Sequence, residues 1–470
     1  MTARVARPVR RRKARAAKAE REQQRAQQQA VRARLREEIA GLVKRVVEEA
    51  LEEEVTALLG RAAYRRRATA PQRPTGARCN QCQQDWAPKF SRAGSYRRTL
   101  LTPEAAVVVR VPRVSCSCGG QVAVPFTTLG RYARSWDELQ ERARQLAGLC
   151  LSLRDAREVL ARDNGQPVAR STLSGWVHQA AQVAEALRAG PLEPGPAVLL
   201  CDGLWLKLME ATGETDRDAS GRQRPRMRRR KVPLLVAYGV DPVRGERWIV
   251  DWEVGEAEDQ ASWQRLLERL HTRGRHATTG LELIVHDGSA GLEAALAEVD
   301  FGPGVLHQRC VFHVLRNVRD KVQGEPGMSR ADKRARRRAV LQAAAPIWQT
   351  TDPATARRRW ENFRDAWATS EPAAVATVAE RLAATLVYCL AVARGRERGD
   401  VWQAACVRTT SALERVNRAL RQKLRQAGMF HSERGLLAAI ALVIAHRGLG
   451  RQQVPPECWP DLVEAILAAA

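Results

Sequence analysis

Apolar residues recur at helical spacing near the start of the chain, between Glu, Lys and Arg side chains. The series is Val31, Leu35, Ile39, Leu42, Val46, Leu51, Val55, Leu58 and Leu59. This spacing predicts a long amphipathic helix within residues 31–70 that ends near Gly60. Its apolar stripe can pack on the rest of the chain or on a second copy, so oligomerisation through this helix is one of two possibilities.

The pattern changes after Pro71, Pro74 and Gly76, which follow this helix. The segment YRRTLLTPEAAVVVRVPRV is rich in β-branched residues and predicts a small β domain at residues 71–130. Helical spacing returns in residues 131–190, and Pro191, Pro194 and Pro196 mark its boundary.

Two helices in that region are separated by a polar turn. The turn lies at Asn164 and Gly165, and Ser171 and Thr172 open the second helix. This order is typical of a helix-turn-helix motif, whose second helix enters the DNA major groove. The alternative is a helical hairpin that binds nothing.

Strands and helices alternate from residue 197 onward. Strands are predicted at 197–208, 232–240, 246–254, 281–286 and 304–309, and helices at 259–273 and 290–299. The arginine-rich segment RQRPRMRRRK is expected to form a hairpin loop between the first two strands. Three strands followed by helix, strand, helix and strand is the order of an α/β, RNase H-like (retroviral-integrase-like) domain. We assign residues 197–318 to the first part of this core.

The core is interrupted before its last helices. Helical patterns fill residues 328–347, 353–367 and 372–393. They predict an all-helical insertion at 319–405, followed by the final core helices at 406–450 and a tail at 451–470.

Three acidic residues stand at informative places in this pattern. Asp202 follows the apolar run AVLLC, Asp287 follows LELIVH, and Glu414 lies in the helical segment TTSALERVNRALRQKL. An Asp-Gly pair alone is a common turn signal, and a lone helical Glu is usually a surface residue. In an RNase H-like fold, however, the first and fourth strands are neighbours, which would bring the two aspartates together. Such carboxylates can hold two Mg²⁺ (or Mn²⁺) ions roughly 3.5–4 Å apart for phosphoryl transfer on DNA.

The charge of the chain points to a polyanionic partner. Its formal net charge is +26, and nucleic acid is the usual partner of so basic a protein. A soluble basic protein with an arginine-rich composition is the alternative. Residues 1–30 are expected to form a basic flexible arm, or a solvated tail without a specific role. No apolar run reaches the ~18 residues of a membrane span, so we expect no membrane partner and a cytoplasmic, nucleoid-associated location.

Four of the ten cysteines form two close pairs in the small β domain. They are Cys79, Cys82, Cys116 and Cys118. Such pairs predict a zinc ribbon, in which Zn²⁺ takes four thiolates. The second pair has C-x-C spacing and not the commoner C-x-x-C, and unliganded cysteines are the alternative. Arg97 and Arg98 lie in the same domain and are candidates for contact with a DNA backbone.

Four ordered segments carry a family resemblance. LLCDGLWLKL, LIVHDGSAGLEAAL, HQRCVFHVLRNV and TTSALERVNRALRQKLRQAGMF resemble the blocks of Mutator-like DDE transposases, especially the bacterial insertion-sequence branch. The segment ALEEEVTALLGRAAYRRR is similar to the start of those enzymes, whereas the zinc-ribbon-like segment is not typical of that branch. The resemblance implies that Asp202, Asp287 and Glu414 are the metal-binding triad. It also implies that Cys310 and His313 form a supporting C-x-x-H signature.

The resemblance further implies a transposase that binds terminal inverted repeats and target DNA as a homodimer or higher oligomer. It would cleave and join DNA strands with bound metal. Arg228, Arg229 and Arg230 in the hairpin, and Trp360 in the insertion, are expected DNA contacts; for Trp360 the alternative is the insertion's core. Two other functions stay open: a domesticated DNA-binding regulator without catalysis, and a nuclease or resolvase of the same fold.

Overall fold

The computed structural model describes residues 6–66, 71–192, 195–323, 325, 327–426, 430–446 and 452–453. The chain divides into two compact units. The first contains residues 1–146 and 153–176, and the second contains residues 147–152 and 177–470.

The first unit begins with one long helix, α1 (Ala6–Leu59). The helix therefore starts inside the segment expected to be a flexible arm, because Arg, Lys, Ala and Gln are strong helix formers. Its last turns are buried: Val47, Leu51 and Val55 pack on the small β-sheet of this unit. Val47 is covered there, and not its neighbour Val46.

The sheet of the first unit has three antiparallel strands in the order β1-β2-β3. The strands are β1 (Phe90–Leu101), β2 (Ala106–Cys116) and β3 (Gln121–Val122). Three helices follow: α2 (Asp137–Gly148), α3 (Leu153–Asn164) and α4 (Arg170–Ala189), the last of which continues into the second unit. The predicted turn lies between α3 and α4, where Gly165 has φ +81° and the Asn164 side chain accepts from Gln166 N.

The second unit contains a six-stranded mixed sheet in the order β8-β7-β4-β5-β6-β9. Its strands are β4 (Val198–Arg217), β5 (Gln223–Val240), β6 (Glu246–Val254), β7 (Leu283–His286), β8 (Leu306–Arg309) and β9 (Gln452–Gln453). The first three run antiparallel in succession, whereas β7 is parallel to β4 and β8 is parallel to β7.

Helices cover both faces of this sheet. On one face, α5 (Gln260–Thr272) and α6 (Ala290–Glu298) pack on Leu199, Cys201 and their neighbours. On the other face, Val198 and Leu200 join a larger core with α7 (Val311–Lys321), α14 (Ser411–Gln426) and α15 (Glu433–His446). Alternate residues of β4 thus enter opposite cores, as the two-residue period of a strand requires.

The predicted hairpin loop is wrong. The arginine-rich segment instead extends β4 and β5 as a two-stranded ribbon that pairs out to Arg217 and Gln223. Opposite charges face each other across the ribbon: Arg228 bonds to Glu210, and Arg226 bonds to Glu214. Cross-strand pairs of this kind stabilise a ribbon that has no apolar core.

Helices fill the segment between α7 and α14, as predicted. They are α8 (Arg330–Ala344), α9 (Pro353–Trp367), α10 (Pro372–Ala379), α11 (Leu382–Thr385), α12 (Val387–Glu397) and α13 (Ala404–Val407). Their apolar side chains share the larger core with the sheet. Among the described residues no single helix is long and apolar enough to cross a membrane, and one pair bent by 65°, Pro372–Ala379 with Leu382–Glu397, meets that length and composition.

Candidate active site

Asp202 and Asp287 are brought together by two parallel strands. Cys201 of β4 is in register with His286 of β7, so the next residue of each chain segment is one of the aspartates. Asp202 still belongs to β4 and pairs with Val236 of β5. The turn interpretation of the first Asp-Gly pair is therefore wrong, although Gly288 after the second aspartate does adopt φ +78°.

Glu414 reaches the same place from the first turn of α14. The helix is tied to the strand by Asn417, whose Nδ2 donates to Asp202 Oδ2 at 3.0 Å. All three acids line one polar pocket of about 370 Å³. Its lining residues are Asp202, Gly203, Glu258, Asp287, His313, Arg316, Glu414, Asn417, Arg418 and Arg421.

Backbone amides hold the two aspartates in place. Gly203 N donates to Asp202 Oδ1 at 3.0 Å, and Ser289 N donates to Asp287 Oδ1 at 2.9 Å. Gly203 lies close to Glu258: a Cβ at position 203 would be 2.9 Å from Glu258 Oε1, so a larger residue there requires the Glu258 side chain to move. Each of these bonds uses one carboxylate oxygen and leaves the second oxygen available for another contact.

Burial and neighbouring carboxyl groups make Asp202 and Glu414 hard to ionise. Burial raises the pKa of Asp202 well above its usual value, and the nearby Glu414 and Asp287 raise it further. Burial also raises the pKa of Glu414 to about 7, although Arg316 and Arg418 oppose this shift. Carboxylates that are this hard to ionise without a cation are characteristic of a functional site.

His313 joins the aspartates more closely than expected. One ligand atom each of Asp202, Asp287 and His313 lies within 4.8 Å of the others, so these residues could hold a metal ion. Burial lowers the pKa of His313 to about 4, which leaves a neutral imidazole near pH 7. Its Nε2 lies 3.6 Å from Glu414 Oε1, an oxygen that has no hydrogen-bond partner among the described residues.

Cys310 contacts Thr410, the residue that precedes α14. It precedes α7 and is fully buried, and the Thr410 backbone N–H and hydroxyl both donate to its sulfur at 3.2 Å. Burial raises the pKa of this thiol to about 12, so it stays protonated. Thr410 O in turn accepts from Glu414 N at 2.9 Å. The cysteine therefore contacts the residue that precedes α14 and helps to fix the start of that helix.

Sequence reasoning missed several residues of the pocket. Asn417, Arg418 and Arg421 follow Glu414 by three, four and seven positions, which is the spacing of one helix face. That signal was available. Glu258 had none, because it lies in the turn before α5 and reaches the pocket only through the packing of that helix. Burial and the nearby Asp287 raise its pKa.

The four cysteines of the first unit also meet. Cys79 Sγ lies 3.5 Å from Cys118 Sγ, and Cys82 Sγ lies 3.7 Å from Cys116 Sγ. All four sulfurs lie within 4.8 Å of one another, so they could hold a metal ion. Gly120 allows this approach, since a Cβ at that position would collide with the Cys79 sulfur.

The expected DNA contacts differ in their accessibility. Arg97, Ser171, Thr172 and Arg229 are exposed, whereas Arg98 is half-buried and bonds to the Tyr96 hydroxyl.

Three other expected contacts have partners within the chain. Arg228 and Arg230 both pair with Glu210, which offsets part of their charge. Trp360 is half-buried against the larger core with its ring 6.1 Å from that of Phe363. This packing matches the alternative that Trp360 belongs to the insertion's core.

Comparison with known proteins identifies the family. The model of the Mutator family of transposases matches residues 13–448. The chain belongs to the Mutator family. Both cysteine pairs and all three acids of the pocket lie within the matched residues.

Curated relatives are transposases of insertion sequence elements. The IS905 transposase of Lactococcus lactis is 26% identical over 59% of this chain and 61% of its own length. The IS406 transposase of Burkholderia multivorans is 30% identical over 45% and 49%, and the IS1201 transposase of Lactobacillus helveticus is 23% identical over 84% and 90%. The chain thus spans about half to three fifths of the first two relatives. Among solved structures, the Drosophila P element transposase strand transfer complex has a TM-score of 0.27 at 12% identity, covering 67% of this chain and 79% of that one.

Proposed function

We propose that this Mutator-family transposase cleaves and joins DNA at the ends of its own insertion sequence, with divalent cations held by Asp202, Asp287 and Glu414. The observation that carries the proposal is the meeting of three carboxylates from β4, β7 and α14 in one pocket. The strand order supports an RNase H-like core: three antiparallel strands are followed by a fourth that is parallel to the first. Arg316, Arg418 and Arg421 line the pocket and suit a phosphate backbone.

The residues present fit two divalent cations. Buried carboxylates with raised pKa values, together with the unpartnered Glu414 Oε1, are stabilised when a cation replaces the lost water. Oxygen ligands are those that Mg²⁺ and Mn²⁺ prefer. When bound, such ions lower the pKa of the attacking hydroxyl and stabilise the charge that develops on the phosphate oxygens.

The side chains around the acids have separate tasks. Asn417 orients the Asp202 carboxylate, and the neutral His313 can accept a hydrogen bond or bind metal through Nε2. The arginines neutralise phosphates on either side of the cut. In the first reaction, water attacks phosphorus and the P–O3′ bond breaks, which frees a 3′-hydroxyl. In the second, that oxygen attacks a target phosphorus, and the target's own 3′-oxygen leaves as a hydroxyl.

The four cysteines are proposed to hold a structural Zn²⁺ ion. Four thiolates at about 2.3 Å from Zn²⁺ in a tetrahedron are about 3.8 Å apart. The observed separations of 3.5 Å and 3.7 Å are close to this value. A metal would stabilise a unit whose sheet has only three strands, one of them two residues long.

Affinity for DNA is proposed to come from exposed basic surface. The net charge of +26 supplies attraction for the backbone, and Arg97 and Arg229 are exposed and have no carboxylate partner among the described residues. The exposed Ser171 and Thr172 at the start of α4 suit contact with phosphates or bases.

Oligomerisation is proposed to involve the exposed part of α1. Leu35, Ile39, Leu42 and Val46 are between 41% and 53% exposed. Their spacing of four, three and four residues is that of a coiled-coil seam. A second copy of the helix is the partner whose stripe matches this one.

Incubating the full chain with a labelled element end and Mg²⁺ tests the function. Cleaved and joined products support the proposal. Cleavage without joining would instead identify a nuclease or resolvase, and binding without either reaction would identify a regulator.

A further inference from the structure

A second pocket adjoins the catalytic one in the second unit. It has a volume of about 400 Å³, and its walls are mostly apolar. The lining residues are Trp205, Leu206, Lys207, Arg421, Leu424, Arg425 and Phe430. Arg421 lines both pockets, so a strand of DNA that lies across the acids would reach this second pocket without a break.

Trp205 is the unusual residue of this pocket. It follows Asp202 by three positions on β4 and is 45% exposed, whereas the other described tryptophans are half-buried or buried. Its side chain hydrogen-bonds to the carboxyl group of Glu258, which lines the catalytic pocket. The indole is thus held in place although one side of it faces solvent. An aromatic ring that is exposed and oriented in this way is available for stacking.

The charges around the indole suit a nucleotide. Lys207, Arg421 and Arg425 surround the apolar walls formed by Leu424 and Phe430. Within the described part of the chain, no carboxylate pairs with any of these three cations. A flat apolar surface next to unpaired cations matches a base and its phosphates, and this is how single-stranded nucleic acid is commonly bound.

We propose that this pocket binds one unpaired nucleotide of the DNA strand next to the cleaved phosphate, with its base stacked on Trp205 and its phosphates held by Lys207, Arg421 and Arg425. The proposal rests on the proposed function for the position of the DNA. Holding a base outside the duplex would separate the strands at the cut and fix the scissile phosphate against the acids.

A cycle of protein and DNA changes tests the stacking. The probe is a duplex of the inverted repeat that flanks the gene, with its three outermost nucleotides unpaired on one strand. The binding constant is measured by fluorescence anisotropy with Ca²⁺ in place of Mg²⁺. Three further probes each carry an abasic site at one of the three unpaired positions. The probe whose abasic site falls at the nucleotide in the pocket should bind the unaltered chain about 5- to 150-fold more weakly than the intact probe. The same substitution should change binding to Trp205→Ala by less than about twofold, and Trp205→Phe should keep most of the abasic effect.

Two further variants separate the pocket from general basicity. Arg425→Ala should weaken the binding of every probe and reduce the salt dependence of binding. Arg396→Ala, which changes an exposed arginine on α12, should leave the abasic effect unchanged. Equal abasic effects in the unaltered chain and in Trp205→Ala, or none at any position, would overturn the proposal. A failure of the proposed function is seen separately, as the absence of cleavage of the same duplex by the unaltered chain in Mg²⁺.

Discussion

Asn417 Nδ2 donates a 3.0 Å hydrogen bond to Asp202 Oδ2. This bond joins α14 to β4 across 215 positions of sequence and places Glu414, one helical turn earlier, at the pocket. In the proposed function, Asn417 orients a carboxylate that binds the metal. Its removal is expected to affect the metal more than the fold.

Asn417→Ala should therefore reduce cleavage through weaker metal binding. We expect activity at fixed Mg²⁺ to fall about 10- to 100-fold. The apparent Mg²⁺ affinity, measured from the metal dependence of the cleavage rate, should fall by a similar factor. Gln422→Ala, an exposed residue of the same helix, is the control. An Asn417→Ala enzyme with unchanged metal dependence would assign the bond to folding alone.

Glu414 should make the metal-free protein less stable as the pH rises. Burial raises the pKa of its carboxyl group from 4.5 to about 7 in the folded chain. Between those pH values the folded state binds more protons than the unfolded state, so the free energy of unfolding falls with rising pH. The loss is on the order of 1–3 kcal/mol above pH 7.

The variant Glu414→Gln removes this titration. Without divalent cation it should gain stability relative to the unaltered chain between pH 5 and pH 8, as measured by urea unfolding. A stability difference that is the same at both pH values would show that Glu414 ionises normally.

The cysteine cluster predicts one zinc ion per chain. Cys82→Ser should abolish stoichiometric zinc in metal analysis of the full chain. It should also destabilise the first unit by several kcal/mol, because metal-binding energy contributes directly to the folding of a small domain. Ser95→Ala, an exposed residue of β1 in the same unit, should change neither quantity. Unaltered chains that carry no zinc would contradict the assignment.

The exposed seam of α1 predicts a dimer. Combined Leu35→Lys and Leu42→Lys should weaken self-association at least about 100-fold, since each buried leucine contributes about 1.5–3 kcal/mol. Light scattering over a range of concentrations measures the effect. Combined Ala26→Lys and Ala33→Lys add the same two charges at exposed positions outside the seam and should leave the dimer intact. If the unaltered chain is a monomer, α1 does not mediate dimerisation.

The sequence allowed the centre of the fold to be predicted because strand order constrains topology. Apolar runs before Asp202 and Asp287 identified β4 and β7, and these strands are parallel neighbours in the structure. Glu414 was placed by resemblance and is found on α14 at the same pocket. These predictions depended on hydrophobic periodicity and on the order of strands and helices, both of which can be read from one sequence.

Features that depend on pairing between distant residues were not predictable in the same way. The ribbon of β4 and β5 was expected to be a loop, because its stability comes from partners such as Glu210 and Arg228 and not from hydrophobic period. Glu258 enters the pocket only through the packing of α5.

Strand cleavage by active-site variants tests the central claim most directly. The rate of cleavage of one labelled element end in Mg²⁺ is measured for the unaltered chain and for three variants, Asp202→Asn, Asp287→Asn and Glu414→Gln. DNA binding by each protein is measured in parallel. We predict that each variant binds DNA within about threefold of the unaltered chain and cleaves at least about a thousandfold more slowly, since bound metal supplies several kcal/mol of transition-state stabilisation. Cleavage at an undiminished rate by any of the three variants would contradict the assignment of these carboxylates to catalysis.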